Sequence, residues 1–287
     1  MSNNFFSGSA KSVFFLALPL LGACSWAGQM AKDRVEGVAS YYGSEHFTLV
    51  ASVPPNFGFT SKAQYSPKAG QDCKVYSPGL GGSVTRQQQK SDKFPAKNTE
   101  QKVATEIPLE YHIGGCSMAL TRVNFEVNAT YGTNDWDQSL EHAGGLSIVN
   151  AALDNSSTSS SSEQRGLCTW LFQISTAKAK KGQIEKILSC TSADTEWKIP
   201  ADRFKRRKPG AALVRGELVD KTIPITFRLS SEEKPGYQAY WYKVPNGWKP
   251  CTGRWNSESE ELCTTPPKFR TFKMNGRECS VYPGCNE

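Results

Sequence analysis

The sequence predicts a mainly β protein made of two tandem β-sandwich-like domains and a disulfide-rich C-terminal tail, and three observations predict it. Apolar residues alternate with polar ones in short runs that stop at proline, glycine or serine. Nine cysteines are scattered along the 287 residues. The long amphipathic helical pattern of an α/β enzyme is missing.

The chain opens with an export segment. Residues 1–23 carry one charge, Lys11, ahead of an apolar run from Val13 to Leu21. That run is too short to cross a bilayer core of roughly 30 Å as a helix, and it has the build of a signal-peptide core. It closes on Leu21-Gly22-Ala23-Cys24: an aliphatic residue, two small ones and a cysteine. The tetrapeptide resembles the bacterial lipobox, in which a signal peptidase cuts before the cysteine and the thiol carries a diacylglyceryl group. The resemblance implies that Cys24 is a lipid anchor. Ser25 follows it instead of an aspartate, which in enteric lipoproteins goes with the outer membrane, so the expected place is the outer membrane, facing the periplasm. Two or more acyl chains hold a protein stably where one does not.

Residues 24–43 have no sustained period and read as a lipidated tether. Domain 1 is expected over 44–150. Its first strand, His46 to Val53, ends at Pro54-Pro55, since proline cannot donate to a ladder. Gln71 to Tyr76 is a second short strand. Residues 79–103, with Gly81-Gly82 and many glutamines and lysines, read as an exposed loop. Ile107 to Ile113 and Cys116 to Val127 are strands, and Asp135 to His142 reads as a helical turn. Residues 151–165 hold seven hydroxyl residues between Asp154 and Gln164 and read as a linker that cannot build a core. Domain 2 is expected over 166–250: a buried strand from Leu167 to Ile174, a basic turn at Lys178 to Lys181, a segment from Gln183 to Cys190 open to either strand or helix, and strands at Ala211 to Leu218, Thr222 to Leu229 and Tyr237 to Val244. Residues 251–287 form the cysteine-rich tail.

Two of these segments match in register. Thr105 to Ile113 and Lys221 to Leu229 share Ile-Pro, then aliphatic, aromatic and aliphatic positions. Asp92-Lys93-Phe94 has a counterpart in Asp202-Arg203-Phe204. The match reads as a duplication of one β-domain of about 100 residues.

With Cys24 assigned to lipid, Cys73, Cys116, Cys168, Cys190, Cys251, Cys263, Cys279 and Cys285 remain, an even number. Export makes disulfides the expectation for them, and none sits in a CxxC pair of the zinc or redox kind. Eight cysteines allow 105 pairings. Nearness in sequence favours Cys73 with Cys116, Cys168 with Cys190, and two bridges among the last four. There, Tyr282-Pro283-Gly284 is a turn that lets Cys279 and Cys285 meet, while pairing back to Cys251 and Cys263 stays open.

No catalytic, nucleotide-binding or metal motif stands in the sequence, and no cofactor is expected. Gly114-Gly115-Cys116-Ser117 has the look of a nucleophile turn, but Cys116 is expected in a bridge and Ser117 has no base beside it in sequence. The net charge is +7, of which Lys11 in the export segment supplies one. The basic residues cluster at Lys178, Lys180 and Lys181 and at Lys205, Arg206, Arg207 and Lys208, which are the candidate partner-binding residues; export argues against nucleic acid as the partner. Tyr237, Tyr240, Trp241, Tyr242, Trp248 and Trp255 add an aromatic cluster suited to recognition or to packing. The expected function is therefore a non-enzymatic, membrane-anchored protein-binding module of the periplasm. In organisation it resembles the immunity lipoproteins that block lipase or phospholipase toxins of type VI secretion systems. The alternative is an envelope structural or assembly lipoprotein that binds cell-wall or outer-membrane components.

Overall fold

The computed structural model describes residues 40–150, 163–173, 184–236, 241–245, 247–250 and 269–285. Cys24 and the tether to 39, most of the serine-rich linker, Lys178, Lys180 and Lys181, and Cys251 and Cys263 lie outside them. The protein is mainly β. Its strands begin with β1 (Tyr41–Tyr42), β2 (His46–Val53), β3 (Phe57–Pro67), β4 (Lys74–Ser77), β5 (Gly82–Thr85), β6 (Gln88–Phe94) and β7 (Gln101–Pro108). Next come β8 (Glu110–Ile113), β9 (Cys116–Thr130), β10 (Gln138–Val149), β11 (Gln164–Gln173), β12 (Glu185–Ser192) and β13 (Gly210–Val214). The last are β14 (Thr222–Leu229), β15 (Lys234–Pro235), β16 (Trp241–Val244), β17 (Gly247–Pro250), β18 (Thr271–Met274) and β19 (Arg277–Ser280).

Two sheets carry the body. In the first, β9 is flanked along one side by β3 and then β6; on its other side β8 and β1 pair with its start, and β10 and β13 follow along the rest. The second runs β12-β11-β14-β2-β7, with β15 extending β11. The period of two does what the sequence predicts: Phe47, Leu49, Ala51 and Val53 of β2 are at most 1% exposed, as are Val123, Phe125 and Val127 of β9. All of them belong to one apolar cluster, which also takes Cys168 and Trp170 of β11, Leu213 of β13, and Ile223, Ile225 and Phe227 of β14. Each fully buried Val, Leu, Ile or Phe of this cluster contributes roughly 1.5–3 kcal/mol.

The division into two consecutive domains is therefore corrected. Strands from both sides of the serine-rich segment share the same sheets, joined through the parallel ladders β2–β14 and β10–β13. The matched Ile-Pro segments also have different fates. Thr222–Leu229 is one strand, whereas Ile107-Pro108 ends β7 in the second sheet and Glu110–Ile113 forms β8 in the first. Their likeness has a physical cause: β7 and β14 lie on either side of β2, so Ile107 and Ile223 meet the same apolar interior.

Three local expectations change as well. The stretch 79–103 holds β5, β6 and the start of β7; β6 is an edge strand with no fully buried residue, so it carries no apolar signal, and its charges protect the edge. Asp135 to His142 is a turn running into β10. Of the segment open to either strand or helix, Glu185 to Cys190 resolves as strand β12, and the strand at Ala211 stops at Val214, where a 3-10 turn over Arg215–Glu217 begins.

Polar side chains close the sandwich at its edges. Thr105 donates to Asp92 Oδ2 (2.8 Å) and Lys90 to the Glu106 carbonyl (3.2 Å), joining β6 to β7. On the other side Ser139 Oγ and Glu141 Oε1 of β10 accept the Leu188 and Cys190 amides of β12 at 3.0 and 3.1 Å. The chain bulges at Gly144 (φ +142°), where a Cβ would lie 1.9 Å from the Pro209 carbonyl oxygen, so only glycine lets β13 dock there.

Disulfides join Cys73 to Cys116, Cys168 to Cys190 and Cys279 to Cys285. These are the near-neighbour pairings that sequence spacing favours, and in the tail the turn at 282–284 does bring its flanking cysteines together.

Candidate functional site

The predicted basic run lies on an exposed turn beyond β12. Asp202 caps the 3-10 turn Arg203–Lys205 by accepting the Phe204 amide at 2.9 Å. Two of the four basic residues are committed within the protein: Arg206 donates to the carbonyls of Pro200 (2.9 Å) and Ala201 (3.2 Å), and Lys208 forms an ion pair with Glu141. Lys205 and Arg207 face solvent. Beside them Phe204 is 77% exposed with the Arg203 guanidinium 4.7 Å from its ring centroid. The turn thus presents cations around one exposed aromatic ring, and aromatic residues and arginine are both enriched in interface cores.

A second region, without any sequence motif, lies where residues 269–285 close one end of the sandwich. Phe269, Phe272, Cys279, Val281 and Tyr282 pack with Phe172, Ile184 and Trp241 as a small cluster of their own. Under it Lys186 Nζ is 2.5 Å from Glu233 Oε1, with side chains 0% and 4% exposed. The Gly284 amide donates to Glu233 Oε2 at 3.2 Å. Burial pulls the Lys186 ammonium below its ordinary range, and the Glu233 carboxylate beside it opposes that pull. Burial also pushes the Tyr131 phenol up; its ring centroid lies 5.8 Å from Lys186 Nζ. Asp137, 2% exposed, accepts from Arg270 Nη2 at 2.5 Å and from the Asn134 amide at 3.0 Å. The adjoining cavity is only about 30 Å³, room for one water. This charge cluster acts as a clamp holding the tail, since Arg270 and the Gly284 amide are tied to the buried Asp137 and Glu233 carboxylates.

Sequence reasoning missed these residues, yet a signal was present. Lys186, Leu188 and Cys190 share one parity of β12, continuing from Ile184 just before it, and a lysine on the inward face of a strand demands a buried counter-charge.

Beside the clamp a larger cleft of about 350 Å³ opens between Pro54-Pro55-Asn56, the end of β14 and the β18–β19 turn. Arg228 lines it, its guanidinium stacked 4.1 Å over the Trp197 ring, and Arg277 and Glu100 stand at its edge.

The histidines do not converge. His46 contacts the Ser44 carbonyl, and His142 lies 3.2 Å from Glu126 Oε1. The base that Ser117 lacks in sequence is supplied across the β8–β9 hairpin, where His112 Nδ1 is 3.2 Å from Ser117 Oγ and Nε2 is 3.4 Å from Glu110 Oε2. Lys68 pairs with the other Glu110 oxygen and Tyr41 stacks on the imidazole, so the three residues brace the hairpin. Cys116, the other residue of that turn, is oxidised to a bridge. Among the described residues no group of three or more His, Cys, Asp or Glu is placed to hold a metal ion, and no helix is long and apolar enough to cross a membrane.

Compared with known protein families, curated proteins and solved structures, the chain matches none.

Proposed function

We propose that this protein is a lipid-anchored lipoprotein of the bacterial envelope that acts as a non-enzymatic binding module for an exported protein, with a type VI lipase or phospholipase toxin as the partner class. The observation that carries the reading is the cysteine pattern. Cys24 follows the lipobox-like Leu21-Gly22-Ala23, and six of the other eight cysteines join in three bridges, which supports maturation in an oxidising compartment. The anchor keeps the sandwich at the periplasmic face of the outer membrane. Phe204, with Lys205 and Arg207 around it, is the contact surface: the aromatic ring supplies buried area and the cations supply charge complementarity to an acidic active-site rim. Binding blocks the partner's active site by covering it.

Two measurements test the proposal. Metabolic labelling with palmitate should mark the wild-type chain and leave Cys24→Ser unlabelled; an unlabelled wild type sinks the anchor. The detergent-solubilised full chain, wild type or Phe204→Ala/Lys205→Glu/Arg207→Glu, is then used to capture partners from periplasmic extract. One exported lipase recovered near stoichiometry by wild type and lost with the variant is the expected result. Recovery of cell-wall or outer-membrane assembly components alone contradicts the immunity reading and favours an envelope structural role.

A further inference from the structure

The cleft beside the tail exposes a half-finished strand edge. In the parallel ladder between β2 and β14 the Thr48 amide donates to the Lys221 carbonyl at 2.8 Å, and the register runs on to Ser52 opposite Thr226. By this alternation the amides of Thr48, Val50 and Ser52 serve the carbonyls of Lys221, Ile223 and Ile225. The next donor in line for the Phe227 carbonyl is residue 54, which is a proline and has no N–H. Here β2 leaves the sheet through Pro54-Pro55. The Phe227 carbonyl and the Leu229 amide and carbonyl are left facing the cleft, while Ser230 turns its amide the other way, to the Cys168 carbonyl at 2.7 Å. No backbone partner lies on that side among the described residues.

The opposite wall is the tip of the β18–β19 hairpin, where Asn275 and Gly276 both have positive φ (51° and 78°). That hairpin places Met274 in the wall and Arg277 at the rim. Arg277 is exposed and has no carboxylate partner among the described residues. A gap of about 350 Å³ between a row of unpaired backbone groups and an unpaired guanidinium is within the range that takes a small ligand.

We propose that this cleft binds a short extended peptide segment bearing a carboxylate: the segment adds as a strand against Phe227–Leu229, in the place β2 vacates at Pro54, and Arg277 holds the carboxylate. Strand addition supplies affinity through main-chain hydrogen bonds, and the arginine supplies the preference for an acidic group. Glu100, on the same rim, opposes that preference and limits its strength. The inference stands on the cleft alone, independent of the anchor and of the Phe204 turn.

The probe is a pooled random pentapeptide library in three forms: with free C-terminal carboxylates, amidated, and amidated with glutamate as the last residue. Each pool is passed over the detergent-solubilised full chain and over Arg277→Glu, and retained peptides are read by mass spectrometry. The strongest retained peptide is then titrated while the Phe227 and Leu229 amide signals are followed by NMR. The expected result is retention of the carboxylate forms over the plain amide, a loss of about tenfold or more in affinity with Arg277→Glu, tighter binding with Glu100→Gln, and a shift of the Leu229 amide. Retention of the free-acid pool alone identifies a chain terminus as the ligand, and retention of both acid forms an acidic side chain as well. The proposal is overturned by no saturable retention up to about 1 mM, by binding that Arg277→Glu leaves unchanged, or by a bound peptide that moves no signal at Phe227–Leu229.

Discussion

Between the two sheets of the body Phe47, Phe57, Phe59 and Phe125 are at most 1% exposed, whereas in the tail Phe269 and Phe272 each keep 9%. The body has strands of up to fifteen residues, and the tail strands β18 and β19 have four each. A short hairpin cannot bury enough surface to order itself. The tail makes up the difference with the Cys279–Cys285 bridge, the Arg270–Asp137 and Lys186–Glu233 ion pairs beneath it, and the Tyr282 hydroxyl accepting the Trp248 amide at 3.0 Å. The contrast teaches that the body is held by burial and the tail by specific polar and covalent links, so the two should fail in different ways.

The largest expected effect breaks the body. Phe125→Ala removes a fully buried ring from the shared cluster and should cost about 3–5 kcal/mol, visible as one cooperative loss in chemical denaturation that takes β2, β9 and β14 together. Next, Glu233→Leu leaves the Lys186 ammonium buried without its partner and should cost about 3 kcal/mol. Its signature differs: amides of 270–281 lose hydrogen-exchange protection while those of 123–127 keep theirs. Adding Lys186→Met to Glu233→Leu should recover much of the loss, because both charges are then gone.

Replacing Cys279 and Cys285 by serine opens a short loop and should cost about 2 kcal/mol by loop entropy, again confined to the tail. The smallest effect is pH-linked. Burial pushes the Tyr282 phenol up to about 12 from its ordinary 10.0. The folded form therefore keeps a proton that the unfolded chain releases, so this contribution is complete below pH 10 and is lost as the pH rises towards 12. Tyr282→Phe should cost about 1 kcal/mol at neutral pH, and the gap between it and the wild type should shrink over that alkaline window in thermal unfolding.

The same contrast explains what the sequence reveals. Strands β2, β9 and β14 are legible because each puts one face in the apolar interior, and the Pro54-Pro55 stop is legible because proline cannot donate. Strand order is not legible, since the parallel partners β2 and β14 are separated by most of the chain and share no local pattern. The β6 edge is hidden by its own charges. The tail is announced by its cysteines, but its clamp is spread over Asp137, Lys186, Glu233 and Arg270, which no spacing links. The basic run at 205–208 reads as one patch in sequence, yet local geometry commits Arg206 and Lys208 and leaves Lys205, Arg207 and the neighbouring Phe204 free to bind.

Strands from both sides of the serine-rich segment form one core with the tail clamped onto it. Native-state hydrogen exchange of the full chain, followed residue by residue in low denaturant, tests it most directly. Amides of 47–53, 123–127 and 223–227 are expected to open together in a single global event, after those of 270–281 have opened. Separate opening of 44–150 and 166–235 at different free energies would contradict it and restore the two-domain division.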